Sequence, residues 1–184
     1  SRVCRERDLK LFVDGARLAY ALASPANDVT LADLARLTDV FYIGGTKCGA
    51  LFGEAVVIPT RGSIRQFVTQ MKQHGALLAK GRLLGVQFEA LFEDDLYLRI
   101  GTPAVEATAR IRGALRQAGY VVTMNSPTNL TFVALDQAGH ERLSRKVRYG
   151  IWETLPDGRL LARLGTSWAT PDTDVAAFEE ALAR

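Results

Sequence analysis

Leu9-Lys-Leu-Phe-Val-Asp14, closed by Gly15, and Asp39-Val-Phe-Tyr-Ile43, closed by Gly44-Gly45-Thr46-Lys47, are the two stretches on which the fold turns. Each is a short, mostly apolar run that stops at glycine, the pattern of a strand buried in a parallel sheet. Between them lies helical pattern over Ala16 to Ala23, then a break at Ser24-Pro25-Ala26-Asn27-Asp28. Thr30-x-x-Asp33 then resembles a capping box that opens a helix through Arg36. Strand, helix, strand at these lengths predicts a right-handed crossover between parallel strands. Parallel strands bring Asp14 and the Gly44 to Lys47 turn to the same carboxyl edge of the sheet, where open α/β sheets build ligand sites. Glu54-Ala-Val-Val-Ile58, ended by Pro59, predicts a third strand.

Working outward, Val3 to Arg7 reads as the end of a helix. Helical pattern runs over Ser63 to Gln73 and again from Gly75 to about Asp94, with Leu77, Leu78, Leu84, Phe88, Leu91 and Phe92 as its apolar face. Gly101-Thr-Pro103 opens a further helix that ends near Gly119. The texture then changes to short strands at Tyr120 to Met124, Leu130 to Leu135, Tyr149 to Glu153 and Leu160 to Thr166. Helices are expected at about Gly139 to Val147 and Pro171 to Arg184. The expectation is therefore an α/β portion over residues 1–97 followed by a small α+β domain over residues 98–184.

Composition narrows the function classes. With 48% hydrophobic residues and a mean hydropathy of +0.03, the chain has the make-up of a soluble globular protein, and no apolar run approaches the ~20 residues of a membrane span. The basic N-terminus lacks the apolar segment of a secretory signal, so a cytoplasmic address is expected. Cys4 and Cys48 stand far apart in no metal-binding spacing, which predicts neither a disulfide framework nor a zinc site. Net charge is +3, and the densest basic stretch, Arg142-Leu-Ser-Arg-Lys-Val-Arg148, spreads around a helix as a solvated face. Neither nucleic acid nor membrane is an expected partner.

The chemistry concentrates at Lys47 and Asp14. Lys47 sits in Ile43-Gly-Gly-Thr-Lys-Cys-Gly-Ala-Leu-Phe-Gly-Glu54, where glycines let backbone approach a ligand and a partly desolvated amine becomes a usable nucleophile for Schiff-base chemistry. A surface loop lysine is the competing reading, and a phosphate-binding loop fits worse because Gly-Lys-Ser/Thr is absent. A carboxylate at the end of an apolar strand needs a partner, and a protonated pyridine nitrogen is one; a helix N-cap is the other reading of Asp14. Arg163, flanked by Leu160, Leu161, Ala162 and Leu164, needs an anion, either a substrate carboxylate or an internal acid.

Phe12-Val-Asp-Gly-Ala-Arg-Leu18, followed 33 residues after Asp14 by Thr46-Lys47-Cys-Gly-Ala, resembles the motifs of the threonine aldolase and β-eliminating lyase family. The Gly-Gly-Thr-Lys and Gly-Ala-Leu-Phe-Gly-Glu-Ala variant is similar to its bacterial low-specificity L-threonine aldolase branch. Lys72-Gln-His-Gly-Ala-Leu-Leu-Ala-Lys-Gly-Arg82 and Leu161-Ala-Arg-Leu-Gly-Thr-Ser167 extend the likeness along the chain. The resemblance implies the aspartate-aminotransferase-like α/β fold of type I pyridoxal 5'-phosphate (PLP) enzymes, the large-domain portion first and a small α+β domain after it. It implies a PLP-dependent lyase that cleaves L-threonine and related β-hydroxy amino acids to glycine and an aldehyde. Lys47 would carry the cofactor as a Schiff base and Asp14 would pair with its ring nitrogen. Arg17 would lie at the cofactor, and Arg17 and Arg163 would hold the substrate carboxylate.

The same resemblance implies a homodimer or homotetramer. It also places the family's phosphate loop, ring-stacking residue and general base ahead of the Asp-Gly-Ala-Arg motif. Only thirteen residues precede Asp14 here, without an initiator Met, so a partial chain is expected, one inactive alone and with bare apolar faces around Phe12, Val40, Phe41 and Val56. Where many members have Gly-Gly-Gly-Met-Arg, this chain reads Gly75-Ala-Leu-Leu-Ala-Lys80, which weakens the carry-over at Lys72 and Lys80. His74 and His140 match no catalytic histidine and read as surface or interface residues. β-Elimination, racemisation or transamination on the same scaffold, or a catalytically silent fragment, are the alternative readings.

Overall fold

The computed structural model describes residues 1–124 and 126–183, which form two compact units: Ser1–Leu22 with Asn27–Arg99, and Ala23–Ala26 with Ile100–Arg184. In the first unit, helix α1 (Arg2–Glu6) leads to strand β1 (Phe12–Val13), helices α2 (Leu18–Leu22) and α3 (Leu31–Leu37), and strands β2 (Val40–Gly44) and β3 (Glu54–Val57). Helices α4 (Phe67–Gln73), α5 (Arg82–Phe92) and α6 (Leu96–Arg99) complete it. The sheet order is β1-β2-β3, with β1 parallel to β2 and β3 antiparallel. Thr30 and Asp33 exchange the two hydrogen bonds of a capping box at the start of α3, as the sequence predicts.

Strand alternation sorts this sheet into a covered and an open face. Phe41 and Ile43 on β2 are buried, whereas Phe12, Val40 and Tyr42, with Val56 across from Tyr42, line the other face. Phe12 is 59% exposed and Phe41 only 2%, so the bare apolar face expected around both holds for Phe12 and Val56 but not for Phe41. The reason is register: residues one apart point to opposite sides of a strand. β1 is also shorter than the run from Leu9 predicts, because Asp39 Oδ2 accepts the Leu11 N–H at 2.8 Å in place of a ladder bond.

Two helical expectations are corrected. The run from Ser63 begins its helix only at Phe67, after Gln66 at φ 50°, and the run from Gly75 becomes helical only at Arg82. Leu77 and Leu78 lie outside α5 and are each 51% exposed. Of the predicted apolar face, Leu91 alone is buried, while Phe92 meets Tyr97 with ring centroids 5.5 Å apart. Among the described residues no helix is long and apolar enough to cross a membrane.

The second unit holds helix α7 (Gly101–Gln117), strands β4 (Val121–Val122) and β5 (Leu130–Leu135), helix α8 (Gln137–Ser144), strands β6 (Gly150–Thr154) and β7 (Leu160–Gly165), and helix α9 (Asp172–Ala183). The predicted end of the last helix at Arg184 lies outside the described residues. The sheet order is β4-β5-β7-β6, all antiparallel. Val133, Leu135, Ala162 and Leu164 pack with Ile111 and Leu115 of α7, Leu143 of α8 and Val175 of α9 in one core. Arg110 ties α7 to α9 through Asp172 and Glu179. Phe132 and Arg163, directly opposite each other in the β5–β7 ladder, alternate away from Val133 and Ala162 and so point to the other face.

Candidate active site

Two glycines set the carboxyl edge of the first sheet. A Cβ on Gly15 would lie 1.7 Å from the Tyr42 carbonyl oxygen, and one on Gly44 would lie 2.5 Å from that of Ala16, so backbone passes backbone too closely for any side chain. The Gly44 N–H donates to the Gly15 carbonyl at 2.9 Å, which extends the parallel contact beyond β1. Continuing that register places Asp14 beside Tyr42 on the open face.

Asp14 is exposed, and its Oδ1 accepts from the Tyr42 hydroxyl and, at 3.0 Å, from the Ala16 N–H. The second bond turns the chain, but Asp14 does not cap α2, which starts only at Leu18. Oδ2 accepts no hydrogen bond among the described residues. The Tyr42 hydroxyl, then the Ala16 N–H, then the charges of Lys47 and Arg17 hold the carboxyl below its ordinary range. Through the same contact the Tyr42 phenol is pushed up to about 12. Asp14, Lys47 and Arg17 therefore share one electrostatic neighbourhood.

Lys47 stands in the connection between β2 and β3. The Gly45 carbonyl accepts from Cys48 N–H at 2.8 Å and from Ala50 N–H at 3.0 Å, while Gly45 N–H donates to Glu54 Oε2 at 2.8 Å. Two buried tyrosines hold this turn from beneath. Tyr20 donates to the Lys47 carbonyl, and Tyr97 donates to the Gly44 carbonyl at 2.9 Å. Cys48 is buried beneath the turn, and burial pushes its thiol up. The Lys47 side chain itself is exposed, not partly desolvated as its glycine-rich setting suggests, because the hydrogen bonds that anchor the turn are made by its backbone. No acid lies within ion-pair distance of Lys47 or Arg17 among the described residues.

In the second unit Arg163 is half-buried and also has no acid partner among the described residues; its guanidinium carbon lies 4.7 Å from the centre of the Trp152 ring. The internal salt bridge that would explain an arginine in an apolar strand is not formed there. His140 is hydrogen-bonded through Nδ1 to the Tyr149 hydroxyl at 2.8 Å, and His74 is exposed.

Residues 1–148 match the family model described as beta-eliminating lyase. The chain belongs to the beta-eliminating lyase family. A low-specificity L-threonine aldolase of Pseudomonas aeruginosa is 33% identical over 190 residues, an alignment covering all of this chain and 51% of that protein. One from a Pseudomonas species is 37% identical over 103 residues, covering 54% of this chain and 29% of its own. The structure of a Leishmania major threonine aldolase matches with 43% identity and a TM-score of 0.92, over all of this chain and 54% of that one. A Sphingomonas wittichii serine palmitoyltransferase shares the fold at 14% identity and a TM-score of 0.66, over 98% of this chain and 49% of that one. The chain thus spans about half the length of the Pseudomonas aeruginosa relative that it matches from end to end.

Sequence reasoning singled out Asp14, Arg17, Lys47 and Arg163, but not Tyr42, Tyr20, Tyr97 or Trp152. Tyr42 could have been found by aligning the glycine-terminated ends of the two strands, which sets it opposite Asp14. The two buried tyrosines reach the turn from 27 and 53 residues away, and no local pattern announces them.

Proposed function

We propose that this chain is part of a PLP-dependent lyase that cleaves L-threonine and related β-hydroxy amino acids to glycine and an aldehyde. The observation that carries the proposal is Asp14 at the carboxyl edge of parallel strands, one oxygen anchored and the other free, within the electrostatic reach of the amine of Lys47. An ionised carboxylate with a free oxygen fits a protonated ring nitrogen, and an exposed primary amine fits an aldehyde. The names of the threonine aldolase relatives support the choice of substrate.

In this reading Lys47 would hold the cofactor covalently through Nζ, and Asp14 would keep the ring nitrogen protonated. Tyr42 and the Ala16 N–H keep Asp14 ionised, and Tyr20 and Tyr97 fix the backbone from which Lys47 projects. Arg17, half-buried after Gly15 and Ala16, would lie at the cofactor and contribute to carboxylate binding. Arg163 has no acid partner of its own among the described residues and offers its planar donors to the substrate carboxylate. Bound at this site, PLP supplies the electron sink that takes up the pair released when the Cα–Cβ bond breaks. The arginines orient the amino acid so that this bond is the one activated.

Leu51 and Phe52, exposed on the turn that carries Lys47, are apolar surface of the kind a subunit contact covers, in keeping with a homodimer or homotetramer. β-Elimination on the same residues is the second reading, favoured by the description of the family model. Product analysis of the PLP-loaded enzyme with L-threonine decides between them. Glycine and acetaldehyde in equal amounts support the proposal; 2-oxobutanoate and ammonia in their place overturn it.

A further inference from the structure

We propose that Trp152 is a positioning residue that orients the Arg163 guanidinium for the carboxylate of the amino-acid substrate, an inference that rests on the carboxylate role given to Arg163 above. Gly150 lies opposite Arg163 and Ile151 opposite Ala162, but Glu153 lies opposite Leu161, so Trp152 is the extra residue of a β-bulge. Two residues on from Gly150, Trp152 lies on the Arg163 face of the sheet, and its indole lies against Arg163, with the guanidinium carbon 4.7 Å from the ring centre. Phe132, the ladder partner of Arg163 on β5, meets the same indole edge-on, centroids 6.1 Å apart at 81°.

The arrangement has the form of a holder for a planar cation. The guanidinium carbon lies over an aromatic ring, and among the described residues its N–H donors make no hydrogen bond or ion pair, which leaves them for a planar anion. Stacking also limits the rotamers of a long side chain that would otherwise lose that freedom when substrate binds. Core packing does not explain the indole: Trp152 is 56% exposed, every residue of β6 is exposed, and the apolar core of this unit is built without it.

The test uses the PLP-loaded enzyme and the variants Trp152→Leu, Trp152→Phe, Arg163→Leu and the double variant Trp152→Leu/Arg163→Leu. The readouts are the dissociation constant of glycine, from the visible spectrum of bound cofactor, KM and kcat for L-threonine, and the melting temperature. Trp152→Leu is expected to weaken glycine and raise KM by about threefold to tenfold, the range of one cation–π contact. Trp152→Phe restores most of the loss, and in the Arg163→Leu background Trp152→Leu adds nothing. If Arg163→Leu weakens glycine but Trp152→Leu does not, the positioning role of Trp152 is wrong while the carboxylate role of Arg163 stands. If Arg163→Leu leaves glycine binding intact, the carboxylate role fails and this inference falls with it. A Trp152→Leu protein with a lower melting temperature and kcat but unchanged glycine affinity marks a structural residue and also overturns the proposal.

Discussion

The Tyr42 hydroxyl donates to Oδ1 of Asp14 on the open face of the first sheet, and each residue shifts the acidity of the other. Asp14 is held below the ordinary carboxyl value of 3.8, so its share of stability is present above that pH and is lost as pH falls through the lower folded value. Tyr42 is raised from 10.0 to about 12, so its share is present below pH 10.0 and is lost as pH rises through about 12. In Tyr42→Phe the Asp14 carboxyl is expected to titrate nearer 3.8, with the Ala16 N–H retaining part of the shift. Carbon-detected NMR titration of Asp14 in both proteins checks this, and an unmoved midpoint contradicts it.

Gly15 and Gly113 respond to alanine in opposite ways. At Gly15 the new Cβ would lie 1.7 Å from the Tyr42 carbonyl oxygen, and neither backbone can move without opening the β1–β2 contact. The expected cost is about 3 kcal/mol or more. Gly113 lies within α7 and a Cβ there meets nothing within 4 Å, so alanine should stabilise by about 0.5–1 kcal/mol. Urea unfolding of both variants measures the contrast; similar midpoints would refute it.

Tyr97→Phe removes a buried hydroxyl from the Gly44 carbonyl and leaves the ring in place. A loss of about 1–2 kcal/mol in unfolding free energy is expected, together with slower turnover as the Lys47 turn loosens. Stability unchanged within error would show that water replaces the hydroxyl without cost.

What the sequence made legible follows the range over which each interaction acts. Asp14 and Lys47 could be placed on one sheet edge because strand ends and glycines are local signals and a crossover permits few arrangements. The capping box at Thr30 and Asp33 is local too, and it stands as predicted. Tyr97 on Gly44, Tyr20 on Lys47 and the Trp152 bulge depend on tertiary approach or on an irregular register, neither of which periodicity encodes. The helix predicted from Gly75 failed at its first residue: Leu77 and Leu78 have helical spacing, but Gly75 adopts φ 69°, outside the helical region, and α5 starts only at Arg82.

The most direct measurement of the central claim, that Lys47 holds the cofactor with Asp14 at its ring nitrogen, is reductive trapping. PLP-loaded enzyme is reduced with borohydride, digested and mapped by mass spectrometry, beside Lys47→Ala treated identically. The reduced pyridoxyl group is expected on the peptide containing Lys47, with no labelled peptide in Lys47→Ala. Label on any other lysine of the unmutated protein, or covalent label retained in Lys47→Ala, would contradict it.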